Sequence, residues 1–482
     1  MKLPGFRERA IVLPKPRKPL VNAFAMNTNT EPKPSRRDFL AQSAIAAAGI
    51  QFLTTPVFGS DAPSNRLNLA GIGIGGMGKG NLSRCRKENI TALCDVDSEF
   101  SLEVQETYPE ARFYTDYREM LAAESDLDGV VIATPDHTHA VITQAAMDKG
   151  LHVYTQKPLT HTVGEARAMT EMAKNAPHLQ TQMGNQGRST ESIRLLKEWL
   201  DAGAIGNVTE VHAWTDRPVG GQPWSTFPMM GRPSETPPIP ESLDWDLWLG
   251  PAPYRPYHSI YHPLSWRGFY DFGTGPLGDM GCHILDPSFY ALELGAPTTV
   301  ESASSHWEED VESETYPRAT RVRYRFPARN GMPPVTVNWS DGRLLPFRPK
   351  GVPNDLELPK SGALLVGDEG VILHGSHGAS SLRIVPESKM EAFLPNRPPK
   401  TIPRVKGTHE GDWIRACKDG NPACSNFSYG GPLTEMALLG VLAIRMPNQR
   451  LEWDAKAMRF TNHEGANELV HPPYRDGWTL RM

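Results

Sequence analysis

The sequence predicts a two-domain α/β protein that opens on a doubly wound parallel sheet. Three observations predict it. Its 482 residues exceed what one hydrophobic core holds. From Arg66, short apolar runs alternate with amphipathic segments, the pattern of strands joined by crossover helices. The first of these runs leads into Gly73-Ile74-Gly75-Gly76-Met77-Gly78, a G-x-G-x-x-G turn.

Residues 67–72 read as the first strand, and a helix is expected from the glycine turn through about Arg86. The second strand, 90–94, ends on Asp95, and a short third follows at 111–114. Residues 129–133 are apolar throughout, so this fourth strand should be buried on both faces. It runs into Thr134-Pro135-Asp136-His137-Thr138-His139 and a helix to Lys149. The next strand, 151–154, meets Thr155-Gln156-Lys157-Pro158, and a helix spans 163–175. Residues 180–186, with Asn185 near their end, close a domain over 66–186.

In that setting the glycines let the backbone turn tightly and approach a pyrophosphate at a helix N-terminus. Asp95, 22 residues after Gly73, is placed to bond ribose hydroxyls and would repel a 2′-phosphate. NAD is therefore favoured over NADP, with Asp97, Arg84 and Arg86 nearby as possible modifiers. A glycine-rich turn of some other α/β protein is the bland alternative. Ligands of open α/β sheets bind beyond the strand C-termini. Thr134, Pro135, His137, His139, Gln156, Lys157 and Asn185 thus join Gly73, Gly75, Gly76, Met77, Gly78 and Asp95 as expected cofactor residues. His137 and His139 equally suit a purely structural task, holding the loop over the cofactor.

Composition bounds the function. Apolar residues make up 39%, charged residues 22% and aromatics 8%, as in a soluble globular protein. Residues 1–59 carry nine Lys/Arg against three Asp/Glu, leaving 41 against 52 in the remainder. An acidic body has no footprint for nucleic acid or anionic lipid. The most apolar stretch, 39–60, is rich in alanine and interrupted by Gln42, Ser43 and Gln51, so no stable membrane insertion is expected. Arg36-Arg37 before that mild run resembles a twin-arginine export signal, with cleavage near residues 57–59. Residues 1–59 are then an N-terminal extension and signal, the twin-arginine translocase is a partner during export, and the mature chain is periplasmic or otherwise exported. Five cysteines (Cys85, Cys94, Cys282, Cys417 and Cys424) are too few for a disulfide framework, with a Cys417–Cys424 bridge left open.

The glycine loop with Asp95, the Thr-Pro-Asp-His-Thr-His segment and the Lys157-Pro158 pair resemble the Gfo/Idh/MocA family of oxidoreductases. So does Gly278-Asp279-Met280-Gly281-Cys282-His283-Ile284-Leu285-Asp286, similar to the family's G-D-x-G-x-H-x-x-D. The resemblance implies a Rossmann domain followed by a domain, 187–482, with a large open and mostly antiparallel sheet. Residues 208–214, 320–326, 335–339, 363–366 and 370–373 supply suitable strands, and 320–326 alternates cleanly, implying one wet and one packed face. One departure is Gln156, where the family usually has glutamate; it withdraws a carboxylate from beside Lys157. Residues 217–263 hold eleven prolines and read either as a passive insertion or as a loop for substrate access or subunit contact.

Asp279, His283 and Asp286 fall at i, i+4 and i+7, on one helix face. Oxidising an alcohol needs a base for its proton, and histidine titrates near ~6.5. The resemblance implies His283 as the acid/base, Asp279 as its partner and a hydroxyl ligand, and Lys157 as an orienting cation. Trp266 and Arg267, with Tyr270 and Phe272, suit a carbohydrate face or ordinary core. A structural Asp–His network and a metal site remain alternatives for the helix, but no H-x-x-x-H or paired-cysteine spacing supports the latter except His258 and His262 in the proline-rich stretch, and no metal is assigned. The expected activity is NAD-dependent oxidation of a hydroxyl on a sugar, glycoside or cyclitol, with the cofactor tightly bound and the protein a homo-oligomer. The alternatives are a glycoside hydrolase using transient oxidation, elimination and re-reduction, and an idle sugar- or cofactor-binding protein.

Overall fold

The computed structural model describes residues 65–218, 230–305, 311 and 313–482. The expected export signal lies outside the described residues, as do 219–229 of the proline-rich stretch.

The first sheet comprises β1 (Asn68–Ile72), β2 (Asn89–Cys94), β3 (Arg112–Tyr114), β4 (Gly129–Ile132), β5 (His152–Thr155) and β6 (Thr181–Met183). All pairings are parallel, in the order β3-β2-β1-β4-β5-β6. Every residue of β4 is buried, as its unbroken apolar run requires. The order reverses between β1 and β4, and a crevice opens at that switch point. The helix after β1, α1 (Lys79–Cys85), begins only after a tight turn over Ile74–Gly78. Two crossover helices, α2 (His139–Asp148) and α3 (Val163–Asn175), follow β4 and β5. A capping box starts α3: Thr162 Oγ1 accepts from Glu165 N, and Glu165 Oε2 accepts from Thr162 N.

The second sheet has nine strands: β7 (Val208–Trp214), β8 (Thr299–Ser304), β9 (Thr320–Phe326), β10 (Val335–Ser340), β11 (Gly362–Gly367), β12 (Val371–Gly375), β13 (Arg383–Val385), β14 (Arg450–Asp454) and β15 (Arg459–Phe460). Their order is β13-β12-β11-β7-β10-β9-β8-β14-β15, antiparallel except for the β7–β10 pair. In β9 the expected period of two holds at every position: Val322, Tyr324 and Phe326 are buried while Arg321, Arg323 and Arg325 are exposed.

Four helices complete the frame: α4 (Gly275–Ile284), α5 (Asp286–Ala291), α6 (His409–Asp419) and α7 (Phe427–Ile444). The last is long and apolar enough to cross a membrane, yet it is nearly all buried. It packs on α3, α4 and β8, joining the two sheets through one core. Gly440 permits the close approach, since a Cβ there would lie 1.8 Å from the Tyr324 hydroxyl.

The proline-rich stretch returns to the first domain. Asp244 N donates to Val96 O at 2.8 Å and Ser98 N to Ser242 O at 3.0 Å. Trp245, Trp248, Tyr261 and Phe272 pack together with Val96. These contacts fasten the described part of the segment to the first domain beside β2. The C-terminal tail also crosses the first domain, with Val470 O accepting from Gly164 N and Gln144 Nε2 donating to Arg481 O. All five cysteines are free thiols, so the Cys417–Cys424 bridge does not form.

Candidate active site

At the switch point the glycine turn and the strand ends line a cleft. Gly73 sits at φ 76°, which L side chains rarely adopt. A Cβ on Gly78 would lie 2.1 Å from the Gly73 carbonyl oxygen, whereas one on Gly76 would meet nothing within 4 Å. The turn therefore presents bare backbone to the cleft, as close approach of a pyrophosphate demands. Asp95 lines the cleft but is also committed to the turn itself. Its Oδ2 accepts from Ile74 N at 2.8 Å and Gly75 N at 3.1 Å, and its Oδ1 from Asp97 N at 3.0 Å. Burial raises its pKa, opposed by those three amides. Next to it, Asp97 accepts from His262 Nε2 at 2.9 Å, which ties the proline-rich stretch to the same end of the cleft.

Thr134, Pro135 and His139 line the cleft; His137 stands behind it. Each histidine ring lies between two carbonyl oxygens, His137 between Trp248 O (3.0 Å) and Phe272 O (3.2 Å) and His139 between Thr134 O and Pro158 O (each 2.8 Å), and a neutral ring donates to one of its pair. Burial pushes His137 down to about 3 and lowers His139 as well. These contacts match the loop-holding role. His139 in particular clasps the strand-end loop to the residue after Lys157.

The charged centre joins Lys157, just after β5, to Asp279 on α4, and both line the cleft. Lys157 Nζ donates to Asp279 Oδ1 at 2.7 Å and to Asp279 O at 2.9 Å. Arg217 donates to the other carboxylate oxygen, Oδ2, at 2.7 Å. Burial opposes ionisation of Asp279, but Lys157, Arg217 and Arg267 hold it well below the usual carboxylate range. Its carboxylate partners are thus Lys157 and Arg217 rather than His283, which was expected as its partner.

His283 is buried one turn further along α4, and its Nδ1 has no hydrogen-bond partner. Its ring faces that of His377, with centroids 4.1 Å apart. Burial, then Lys157 and His377, drive its pKa well below the ordinary value, so it stands as a neutral imidazole. Asp286 turns away from this centre despite its place on the helix face. It accepts from Tyr429 and Asn185 beside Arg188, whose guanidinium is stacked between the Tyr290 and Tyr429 rings at 3.6 and 4.1 Å. Asn185, expected at the cofactor, is fully buried in this network and also accepts from Ser425 Oγ at 2.5 Å. It does not line the cleft.

Trp266 and Arg267 do line it, with the guanidinium 4.2 Å over the indole ring, while Tyr270 and Phe272 belong to the core. Among the described residues, no group of three or more His, Cys, Asp or Glu gathers as a metal site. Sequence reasoning missed Arg217, His377 and Trp478, which joins the cleft wall from the C-terminal tail. None carries a local motif; each reaches the site from a distant loop.

A parallel sheet in this order, with a bare glycine turn at its switch point, defines a dinucleotide-binding Rossmann domain joined here to a second domain built on a mostly antiparallel sheet. The family model for the Gfo/Idh/MocA oxidoreductases' NAD-binding Rossmann fold matches residues 67–183, and that for their C-terminal α/β domain matches 190–326. Inositol 2-dehydrogenase 4 of Saccharopolyspora erythraea is 30% identical over 245 residues, 49% of this chain and 67% of that protein. The chain belongs to the Gfo/Idh/MocA family. Levoglucosan dehydrogenase of Pseudarthrobacter phenanthrenivorans is 27% identical over 218 residues, 45% of each protein. The chain thus spans less than half the length of several curated relatives it matches. The solved structure of a levoglucosan dehydrogenase with NADH and levoglucosan shares the fold, with a TM-score of 0.52 at 19% identity, covering 80% of this chain and 99% of that one.

Proposed function

We propose that the protein is an NAD-dependent oxidoreductase acting on a hydroxyl of a sugar, glycoside or cyclitol. The observation that carries this reading is the Lys157–Asp279 pair, held from behind by Arg217, on the wall of the same cleft that the glycine turn lines. NAD, when bound, supplies the hydride acceptor; Gly73, Gly75, Gly76, Met77, Gly78 and Asp95 would hold its phosphate and ribose end. An ammonium group carries three N–H donors, and two of those on Lys157 go to Asp279. The third is left to orient a substrate hydroxyl. Asp279 keeps that ammonium aimed, and the neutral His283 accepts the hydroxyl proton. Trp266 offers an aromatic face of the kind that sugar C–H groups stack on, with Arg267 as its polar edge.

The Arg36-Arg37 pair supports export, and twin-arginine passage of folded protein would let the cofactor be loaded beforehand. Free NAD is scarce outside the cytoplasm, so the cofactor is held through many turnovers and reset on the enzyme. Purified, dialysed protein should carry NAD and turn over sugar substrates with none added. Protein that dialyses empty, and works only with stoichiometric fresh NAD, would refute the retained cofactor. Replacing His283 by alanine should cut turnover by ~10²–10⁴-fold while NAD stays bound. Release of phenol from an aryl glycoside without net redox would move the reading to a hydrolase on the same site.

A further inference from the structure

Gln156 occupies a position where either end of its amide could face the cleft, and only one of those ends accepts hydrogen bonds. We propose that Glu410, on α6 of the second domain, decides which end does, and so acts as a positioning residue for the cofactor. This rests on the NAD-dependent reading above.

Three buried side chains form a line. Asn81 Nδ2 donates to Glu410 Oε1 at 2.8 Å, and Gln156 Nε2 donates to Asn81 Oδ1 at 3.0 Å. All three residues are at most 5% exposed, so water cannot substitute for a missing partner. A carboxylate accepts and cannot donate, whereas each amide has one donating and one accepting end. Glu410, with Arg84 3.6 Å away, therefore compels Asn81 to turn its NH₂ toward it. The Asn81 oxygen is then left for Gln156, which must answer with its own NH₂. What remains for the cleft, whose wall includes Gln156, is its Oε1, which accepts from Lys157 N at 3.4 Å and keeps a second lone pair. A Cβ on Gly184 would sit 2.7–2.9 Å from this amide, so the glycine keeps its place open.

The consequence is chemical. A glutamate at 156 would present an acceptor whichever way it turned. A glutamine does so only while its nitrogen is engaged, and Asn81 with Glu410 engage it. The charge absent beside Lys157 has been moved two hydrogen bonds back, and the acceptor that takes an O–H or N–H of the bound ligand is preserved.

NAD titration by calorimetry of the full-length protein, first stripped of retained cofactor on charcoal, tests this. Glu410→Gln removes the group that can only accept, freeing both amides to turn, and the dissociation constant for NAD should rise about tenfold, the usual worth of one buried hydrogen bond. Gln156→Glu alone should also weaken binding, because it sets a carboxylate against the Asn81 oxygen. The charge-swapped double variant, Glu410→Gln with Gln156→Glu, lets Asn81 turn around and should return affinity to within about twofold of wild type. A merely structural role for Glu410 predicts no such rescue. An unchanged dissociation constant in Glu410→Gln, or a swap that binds no better than Gln156→Glu, overturns the inference. If Glu410→Gln does not fold, the comparison of Gln156→Glu with the swap decides alone. Wild-type protein that bound no NAD would instead sink the cofactor reading, and this inference with it.

Discussion

Asp279→Asn keeps the shape of the side chain and deletes its charge, leaving Lys157 and Arg217 facing each other unopposed. Two unit charges about 4 Å apart interact by about 4 kcal/mol at an effective dielectric near 20, and Asp279 makes two such contacts at 2.7 Å. Those attractions offset the cost of burying the carboxylate, so the quantity that matters is the loss on breaking the buried pair, about 3–5 kcal/mol. Arg217 can turn outward, since its side chain is 31% exposed, against 14% for Lys157. That relief reduces the expected loss to about 2–3 kcal/mol. Urea unfolding followed by tryptophan fluorescence should show a lower midpoint at unchanged slope. The pH dependence carries the sign. Asp279 has a depressed folded pKa, so its contribution is present above the ordinary carboxylate pKa near 3.8 and fades as the pH falls below it. Wild type and variant should therefore converge in acid. Equal midpoints at pH 7, or a gap that stays constant down to pH 3, would refute the reasoning.

Other outcomes follow from the same geometry. The acidic limb of kcat/KM should lie below pH 6.5, because His283 must be neutral to accept a proton and its pKa is pushed down; a limb at or above 7 would contradict the assignment. Gly78→Ala forces a methyl group against the Gly73 carbonyl and should weaken NAD binding at least ~10-fold in a fluorescence titration, with the C-terminal domain still folded. Glu198, brought down to about 2 by Arg404 and by the Thr401 and Ile402 amides, pins residues 401–404. Its stabilisation should be full above pH 4.5 and lost between there and pH 2, and Glu198→Gln should remove that portion of the acid-unfolding curve.

Much of the frame was legible in the chain because it is set locally. The glycine turn with Asp95, the all-apolar β4 and the strict alternation of β9 each fix a backbone conformation or a buried face within a few residues. Lys157 and Asp279 were also legible, since each stands in a short motif at a strand end or helix turn. What the motifs do not encode is which side chains meet. Asp279 and His283 share a helix face, yet the aspartate binds Arg217, 62 residues upstream, and the histidine faces His377 from the β12–β13 loop. Asn185 ends a strand like a ligand residue but is drawn inward by Asp286 and Ser425. Gln156 looked like a lost carboxylate until Asn81 and Glu410, 329 residues apart, came into line behind it. Backbone shape answers to neighbours in sequence, through sterics and periodicity. The partner and the protonation state of a buried polar group answer to whatever donors, acceptors and charges the packed core brings within about 3 Å, and only the tertiary structure decides that.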